Sequence, residues 1–334
     1  MCRIYLTWTL NHKTSVLKLF KLKSNVLEDV EGIPFQKERD IQNLIEGNMS
    51  AVFGFTMIKS EFSVGNYRID TLCYDEERNS FVIVEYKKGA SYSVIDQGFS
   101  YYQLMLNNKS DFILVLSQHL GKVLGINDID WGESRIVFIS PSFNSYQKDS
   151  VNFKNLPFEL WEIKRYSNNT IVLNQHKSNS KEEIQSLSGA GQDIISEVKK
   201  EVKSYTYEEH YQKTNEAVLE SFTQLKEIME ELGDVEFVPK KPYISLLYQG
   251  TAIAYFNFQK QRIRVDVMRG NENVDGSFSK KFFQMDDPKG ISKSGNWVWK
   301  TGVKGHYYSI TLDGNSDVDY LMFLLKQKYT LLKD

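Results

Sequence analysis

Asp70, Glu85 and Lys87 are the residues whose types and spacing could do chemistry. Asp70 lies in the stretch 67 to 74 and Glu85 and Lys87 end the stretch 80 to 87, both rich in β-branched and aromatic residues, with polar Asp75 to Asn79 between them. That composition predicts two strands joined as a hairpin. Alternation sets Phe81, Ile83, Glu85 and Lys87 on one face and Val82, Val84 and Tyr86 on the other. Burying one carboxylate is costly, and Asp70 reaches Glu85 from the partner strand in the obvious register. Two adjacent carboxylates repel unless a cation sits between them. A hard divalent ion such as Mg2+ suits an oxygen-only site and keeps several waters. Lys87 would stand beside such a water and orient it, or stabilise charge at phosphorus. Together these residues have the makings of metal-assisted phosphodiester cleavage.

The elements around the hairpin decide what else faces it. A helix is predicted from about Ser93 to Asn107, on which Gln97 and Tyr101 share a face four residues apart. Gln97 then holds Lys87 or a phosphate, or makes an ordinary polar contact; Tyr101 faces the nucleic-acid backbone or edges the core. Lys88 and Tyr92 flank the site, as phosphate and sugar contacts or as plain surface. Upstream, Ile41, Leu44, Ile45, Met49, Val52 and Phe53 fall on one helical stripe, with Glu38, Gln42 and Glu46 beside it. Glu46 is either an exposed helix glutamate or a metal contact through water. Thr56 to Phe62 predicts the strand before the hairpin. The apolar runs Asp111 to Ser117 and Arg135 to Ser140 predict strands covered on both faces. Phe158 to Ile163 and Thr170 to Leu173 add a closing hairpin.

The pattern of Asp70 followed by Glu85-x-Lys87 resembles the PD-(D/E)xK nuclease superfamily, with Ile69 where many members carry proline. Gln97 and Tyr101 match the Gln-x-x-x-Tyr helix of its RecB-like branch. Arg39 to Glu46, Phe53-Gly54, Arg68 to Asp70, Val84 to Lys87 and Asp96-Gln97-Gly98 resemble NucS-like bacterial endonucleases with a C-terminal domain of unknown function, a group formerly labelled predicted transport proteins. The similarity runs from about Leu19 onward. It implies an α/β, restriction-endonuclease-like mixed sheet flanked by helices, plus a smaller α+β C-terminal domain. It also implies cleavage that leaves a 5′-phosphate.

With 334 residues, 41% of them hydrophobic, the chain has material for two cores. The expected division is an N-terminal extension 1–18, a nuclease domain 19–174, a polar linker 175–204 and an α+β domain 205–334. Cys2 and Cys73 have no zinc spacing, the five histidines have no metal or nucleophile spacing, and no apolar run is long enough to span a membrane. A cytoplasmic protein without membrane partners is expected. Residues 1–174 carry 19 basic against 20 acidic side chains, 175–234 carry 7 against 13, and 235–334 carry 15 against 10. The basic C-terminal region suits phosphate binding or a solvated surface. There a docked helix is predicted over 208–232, strands over 244–247, 252–258, 262–268 and 307–312, and a closing helix over 318–329. Arg262, Arg264 and Asp266 share a strand face, and Lys280, Lys281, Trp297 and Trp299 interleave charge with aromatics. That mixture is either a nucleic-acid surface or a sheet with a charged outer face.

The resulting expectation is a Mg2+-dependent DNA endonuclease, with Mn2+ substituting. Asp70 and Glu85, the backbone carbonyl of Tyr86 and Glu46 hold the metal, and Lys87, aided by Gln97, positions the attacking water. Lys88, Tyr92 and Tyr101 touch DNA, which is branched, single-stranded or modified, and a homodimer would serve double-strand cutting. The alternatives are a nuclease-like scaffold that binds nucleic acid without chemistry, and an RNA substrate.

Overall fold

A computed structural model describes residues 18–89, 94–152, 156–176 and 205–333. The expected extension and linker fall almost wholly outside these residues, as does Tyr92. The chain divides into two compact units, Met1–Lys203 and Ser204–Asp334.

Unit 1 begins with the hairpin β1 (Phe20–Lys23) and β2 (Val26–Asp29), whose turn residues Ser24 and Asn25 both take positive φ. There follow β3 (Gly32–Ile33), α1 (Glu38–Glu46), α2 (Met49–Phe53), β4 (Thr56–Val64), β5 (Tyr67–Asp75) and β6 (Ser80–Tyr86). Next come α3 (Val94–Asn107), α4 (Lys109–Leu120), β7 (Arg135–Ser140), α5 (Ser145–Ser150), β8 (Phe158–Tyr166) and β9 (Ile171–His176). The sheet runs β3-β8-β7-β6-β5-β4, with β9 on β8. Strands β4, β5 and β6 form an antiparallel meander, whereas β6, β7 and β8 are parallel, so the sheet is mixed.

Helices cover both faces. Tyr102 and Met105 of α3 and Phe112 and Leu116 of α4 pack with Phe81, Ile83, Ile136 and Phe138. Ile41 and Ile45 of α1 and Met49 of α2 pack with Cys73, Val82, Val84, Val137 and Ile139. Every residue of β6 is therefore buried, which explains why its sequence is apolar on both faces. The hairpin is as expected, with Asp75 paired to Ser80 across the turn.

Two expectations fail here. Residues 111–117 are not a strand but the middle of α4, which buries Phe112, Ile113 and Leu116 and ends on the left-handed Gly121. A short apolar run fits a buried helix as well as a strand, and spacings of three and four with a glycine cap decide for the helix. The single helix expected after Pro34 is two, broken at Gly47 and Asn48.

Unit 2 contains α6 (Tyr207–Tyr211), α7 (Glu216–Glu231), β10 (Val235–Pro239), β11 (Ile244–Tyr248), β12 (Thr251–Gln259), β13 (Arg262–Glu272), β14 (Lys293–Val298), β15 (Lys304–Leu312) and α8 (Val318–Lys333). Its antiparallel sheet has the order β10-β11-β12-β13-β15-β14. Phe222 and Leu225 of α7 and Leu321 and Leu325 of α8 pack with Ile244, Phe256, Val265 and Ile310. The helix expected over 208–232 is split before Asn215, whose side chain caps α7 by accepting the Val218 N–H. Strands β10 and β14 are additions to the sequence reading. Among the described residues no helix is long and apolar enough to cross a membrane.

Candidate active site

The site is built where two strands part. Strands β5 and β6 are paired from Asp75 and Ser80 to Thr71 and Val84. Beyond Val84, β6 stays on β7, through Glu85 with Phe138 and Tyr86 with Ile139, and Lys87 N–H donates to Ile139 O at 2.9 Å. Side chains take over on the β5 side. The Asp70 N–H donates to Glu85 Oε1 at 3.1 Å, and the Tyr86 N–H donates to Asp70 Oδ2 at 3.0 Å. A strand residue directs its N–H and C=O to the same side, so the Tyr86 carbonyl also faces this opening.

Burial raises both carboxyls. Glu85 is 1% exposed, and burial first, then the neighbouring Asp70 charge, push its pKa up to about 7. Lys87 Nζ, 3.4 Å from Glu85 Oε2, opposes this without cancelling it. Asp70 is raised chiefly by burial, with Glu61 and Glu38 adding to it and the Tyr86 N–H and Lys87 working against it. A buried and a half-buried carboxylate that repel each other and an inward carbonyl are oxygen donors suited to one hard divalent cation. Among the described residues no three His, Cys, Asp or Glu side chains gather into a metal-holding group, so an ion here would take Asp70, Glu85, the Tyr86 carbonyl and water.

Helix α3 supplies the second wall. Gln97 Nε2 lies 3.5 Å from Glu85 Oε2 and 3.3 Å from the Tyr101 hydroxyl, and burial together with Glu85 raises the Tyr101 pKa. Gly98 lets the helix come this close, since a Cβ there would lie 2.8 Å from the Phe158 ring. Lys87, Gln97 and Tyr101 thus meet at the one carboxylate of Glu85. Tyr101 belongs to the inner site and not to its rim.

Helix α1 contributes differently from expectation. Glu46 Oε1 accepts from Thr71 Oγ1 at 2.6 Å, Ser60 Oγ at 2.8 Å and Gln42 Nε2 at 2.9 Å. The Thr71 hydroxyl is also 3.2 Å from that of Tyr86, which points to the opposite face of β6 from Glu85. Glu46 is therefore not brought to Glu85 as a metal ligand; it braces β5 from behind. Nearer Asp70 are Glu38, whose Oε1 accepts the Lys88 N–H at 3.0 Å, and Glu61 of β4. The Lys88 side chain itself is exposed. Gln42 is buried and its Nε2 reaches both the Asp70 carbonyl, at 3.1 Å, and Glu61 Oε1, at 3.2 Å.

Glu61 was invisible in the sequence, because its placement depends on a bulge near Ile58 and on its own φ of 53°. That conformation costs a non-glycine residue about 1–2 kcal/mol. Gln42 did leave a signal, the stripe it shares with Glu38 and Glu46. In unit 2, Arg264 Nε and Asp266 Oδ2 form an ion pair at 3.0 Å, Trp297 lies on Gly305, and the rings of Trp297 and Trp299 are 5.1 Å apart.

A Haemophilus influenzae protein described only as uncharacterized is 36% identical to this chain over 314 residues, covering 93% of this chain and 99% of that protein. No family model and no solved structure matches the chain. Identity at that level over nearly the full length of both is not reached by chance, and the chain belongs to the same family as the Haemophilus influenzae protein.

Proposed function

We propose that this protein is a metal-dependent DNA endonuclease of the PD-(D/E)xK type, with unit 1 as its restriction-endonuclease-like catalytic domain. The observation that carries this reading is the strand fork, where Asp70 and Glu85 replace the ladder hydrogen bonds and Lys87 lies 3.4 Å from Glu85. The element order α1, α2, β4, β5, β6, α3, α4, then β7 parallel to β6, supports it as well. A Mg2+ or Mn2+ ion held by Asp70, Glu85 and the Tyr86 carbonyl would supply Lewis-acid stabilisation of charge on the phosphate and on the departing oxygen.

The chain's own groups do the rest. Lys87 holds a water by a hydrogen bond from its ammonium and keeps it in line with phosphorus. Gln97 fixes the Glu85 carboxylate, and Tyr101 fixes Gln97. The water oxygen bonds to phosphorus, its proton passes to solvent, and the P–O3′ bond breaks. The products are a 5′-phosphate and a 3′-hydroxyl, which takes up one proton.

The test is nicking of supercoiled DNA with Mg2+ or Mn2+ by the wild type, Asp70→Ala and Lys87→Ala. Loss of cleavage of at least about a hundredfold in both folded variants is expected. A Lys87→Ala rate equal to wild type would refute the assignment. Metal-independent DNA binding with no cutting in either metal would leave a binding scaffold instead.

A further inference from the structure

Glu61 is held by two guanidinium groups from different elements. Arg39 NH1 of α1 binds Glu61 Oε1, and Arg68 Nε of β5 binds Glu61 Oε2 at 2.7 Å. Glu61 is 28% exposed, while Arg39 and Arg68 are 53% and 69% exposed. Each arginine uses one nitrogen on Glu61, Arg39 donates from that same nitrogen to Gln42 Oε1 at 3.1 Å, and both arginine side chains stay more than half exposed, leaving donors for a further anion. Such a braced fork matches the paired oxygens of a phosphate and has already lost the rotamer freedom that binding would otherwise cost.

The clasp is tied to the site. Gln42 reaches both Glu61 Oε1 and the Asp70 carbonyl, and Arg68 stands two residues from Asp70 on β5, roughly 6.6 Å along the strand. That is the scale of one phosphate-to-phosphate step along a nucleic-acid strand. Beyond Glu61 an open groove of about 440 Å³ runs between β4 and α4, lined by Lys59, Ser63, Leu114 and Gln118 among others. Lys59 is exposed there and has no ion-pair partner among the described residues. The left-handed backbone at Glu61 is a strained feature whose visible effect is to bring these two arginines together.

We infer that Arg39 and Arg68, braced by Glu61, bind the DNA phosphate next to the scissile one and lead the strand into the groove past Lys59. This rests on the nuclease reading, and it adds the residues that set substrate register. Phosphate contacts of this kind position the polymer and are read by salt dependence, not by base sequence.

The experiment measures anisotropy of a fluorescein-labelled single-stranded DNA oligonucleotide with the full chain, in a Lys87→Ala background that prevents cutting, across a salt series. Adding Arg68→Ala should weaken binding about tenfold at low salt and flatten the log–log salt slope by about 0.7 for each phosphate no longer neutralised. Arg68→Lys should restore the slope while recovering only part of the affinity, because lysine keeps the charge without the fork. Arg39→Ala should behave like Arg68→Ala. If Arg68 were only a strut for Glu61, stability would fall and the salt slope would not move; an unchanged slope overturns the inference, as does absence of binding in every variant. Failure of the nuclease reading looks different, since the Arg68 and Arg39 variants would then still lose binding and salt slope while the wild type cut nothing with Mg2+ or Mn2+.

Discussion

Replacing Glu85 by glutamine should stabilise the metal-free protein at alkaline pH. In the unfolded chain this carboxyl has the usual pKa near 4.5, and in the folded chain about 7. The folded state therefore binds the proton more tightly, and stability falls as pH rises from 4.5 through 7. The shift corresponds to a penalty on the order of 3 kcal/mol once both states are ionised, and Glu85 is buried enough for little of that to be screened. Glutamine carries no charge to desolvate, and its amide oxygen can still accept the Asp70 N–H that now goes to Glu85 Oε1. The Lys87 attraction is already contained in that shift, and glutamine's weaker hydrogen bonds to the groups around Glu85 offset part of the gain, leaving about 1–3 kcal/mol. Urea unfolding in a chelator should give Glu85→Gln the higher midpoint at pH 8 and nearly equal midpoints at pH 5. Adding Mg2+ should raise only the wild type. A variant no more stable than wild type at pH 8, or a gain independent of pH, would refute the reasoning.

Two further perturbations test the scaffold. Gly98→Ala places a methyl 2.8 Å from the Phe158 ring, so it should cost about 1–2 kcal/mol despite alanine's better helix propensity, and cleavage should fall further as Gln97 is pushed from Glu85. Thermal unfolding beside a nicking assay reads both effects. Arg135 lies buried between Asp75 at 2.7 Å and Glu159 at 2.8 Å, so Arg135→Met should cost about 3 kcal/mol near pH 7 by removing the buried cation between two carboxylates, of which Asp75 keeps only the more distant Arg78 at 3.7 Å. Burial alone would push the Asp75 carboxyl up, but Arg135 and Arg78 outweigh it and hold it below the usual range. The wild type thus keeps this contribution above the unfolded aspartate pKa and loses it as pH falls through the folded one. The gap between variant and wild type in urea unfolding should narrow below pH 4.

The centre of the site was legible because strand periodicity alone sets Glu85 beside Lys87, and helical periodicity sets Gln97 beside Tyr101. Both are local consequences of regular backbone. What lay beyond reading depends on irregular backbone or on packing. Glu46 and Glu38 lie on one helix stripe, and only the bonds of Thr71 and Lys88 show which end of that stripe meets Asp70. Glu61 enters through a bulge, which no alternating pattern announces. Residues 111–117 misled because an apolar run records burial and not the backbone that achieves it. Strands β10 and β14 carry few fully buried residues, so their patterns were faint.

The bulge in β4 has a consequence for association. Among the described residues strand β4 ends the sheet of unit 1, with no strand paired to the other side of its backbone. A straight, apolar strand in that position would invite a second chain to extend the sheet. Here the register slips near Ile58, Glu61 turns the backbone left-handed, and Lys59 and Glu61 set opposite charges along the rim. The irregularity that carries Glu61 toward Asp70 also makes this rim a poor template for a strand of a second copy of the chain.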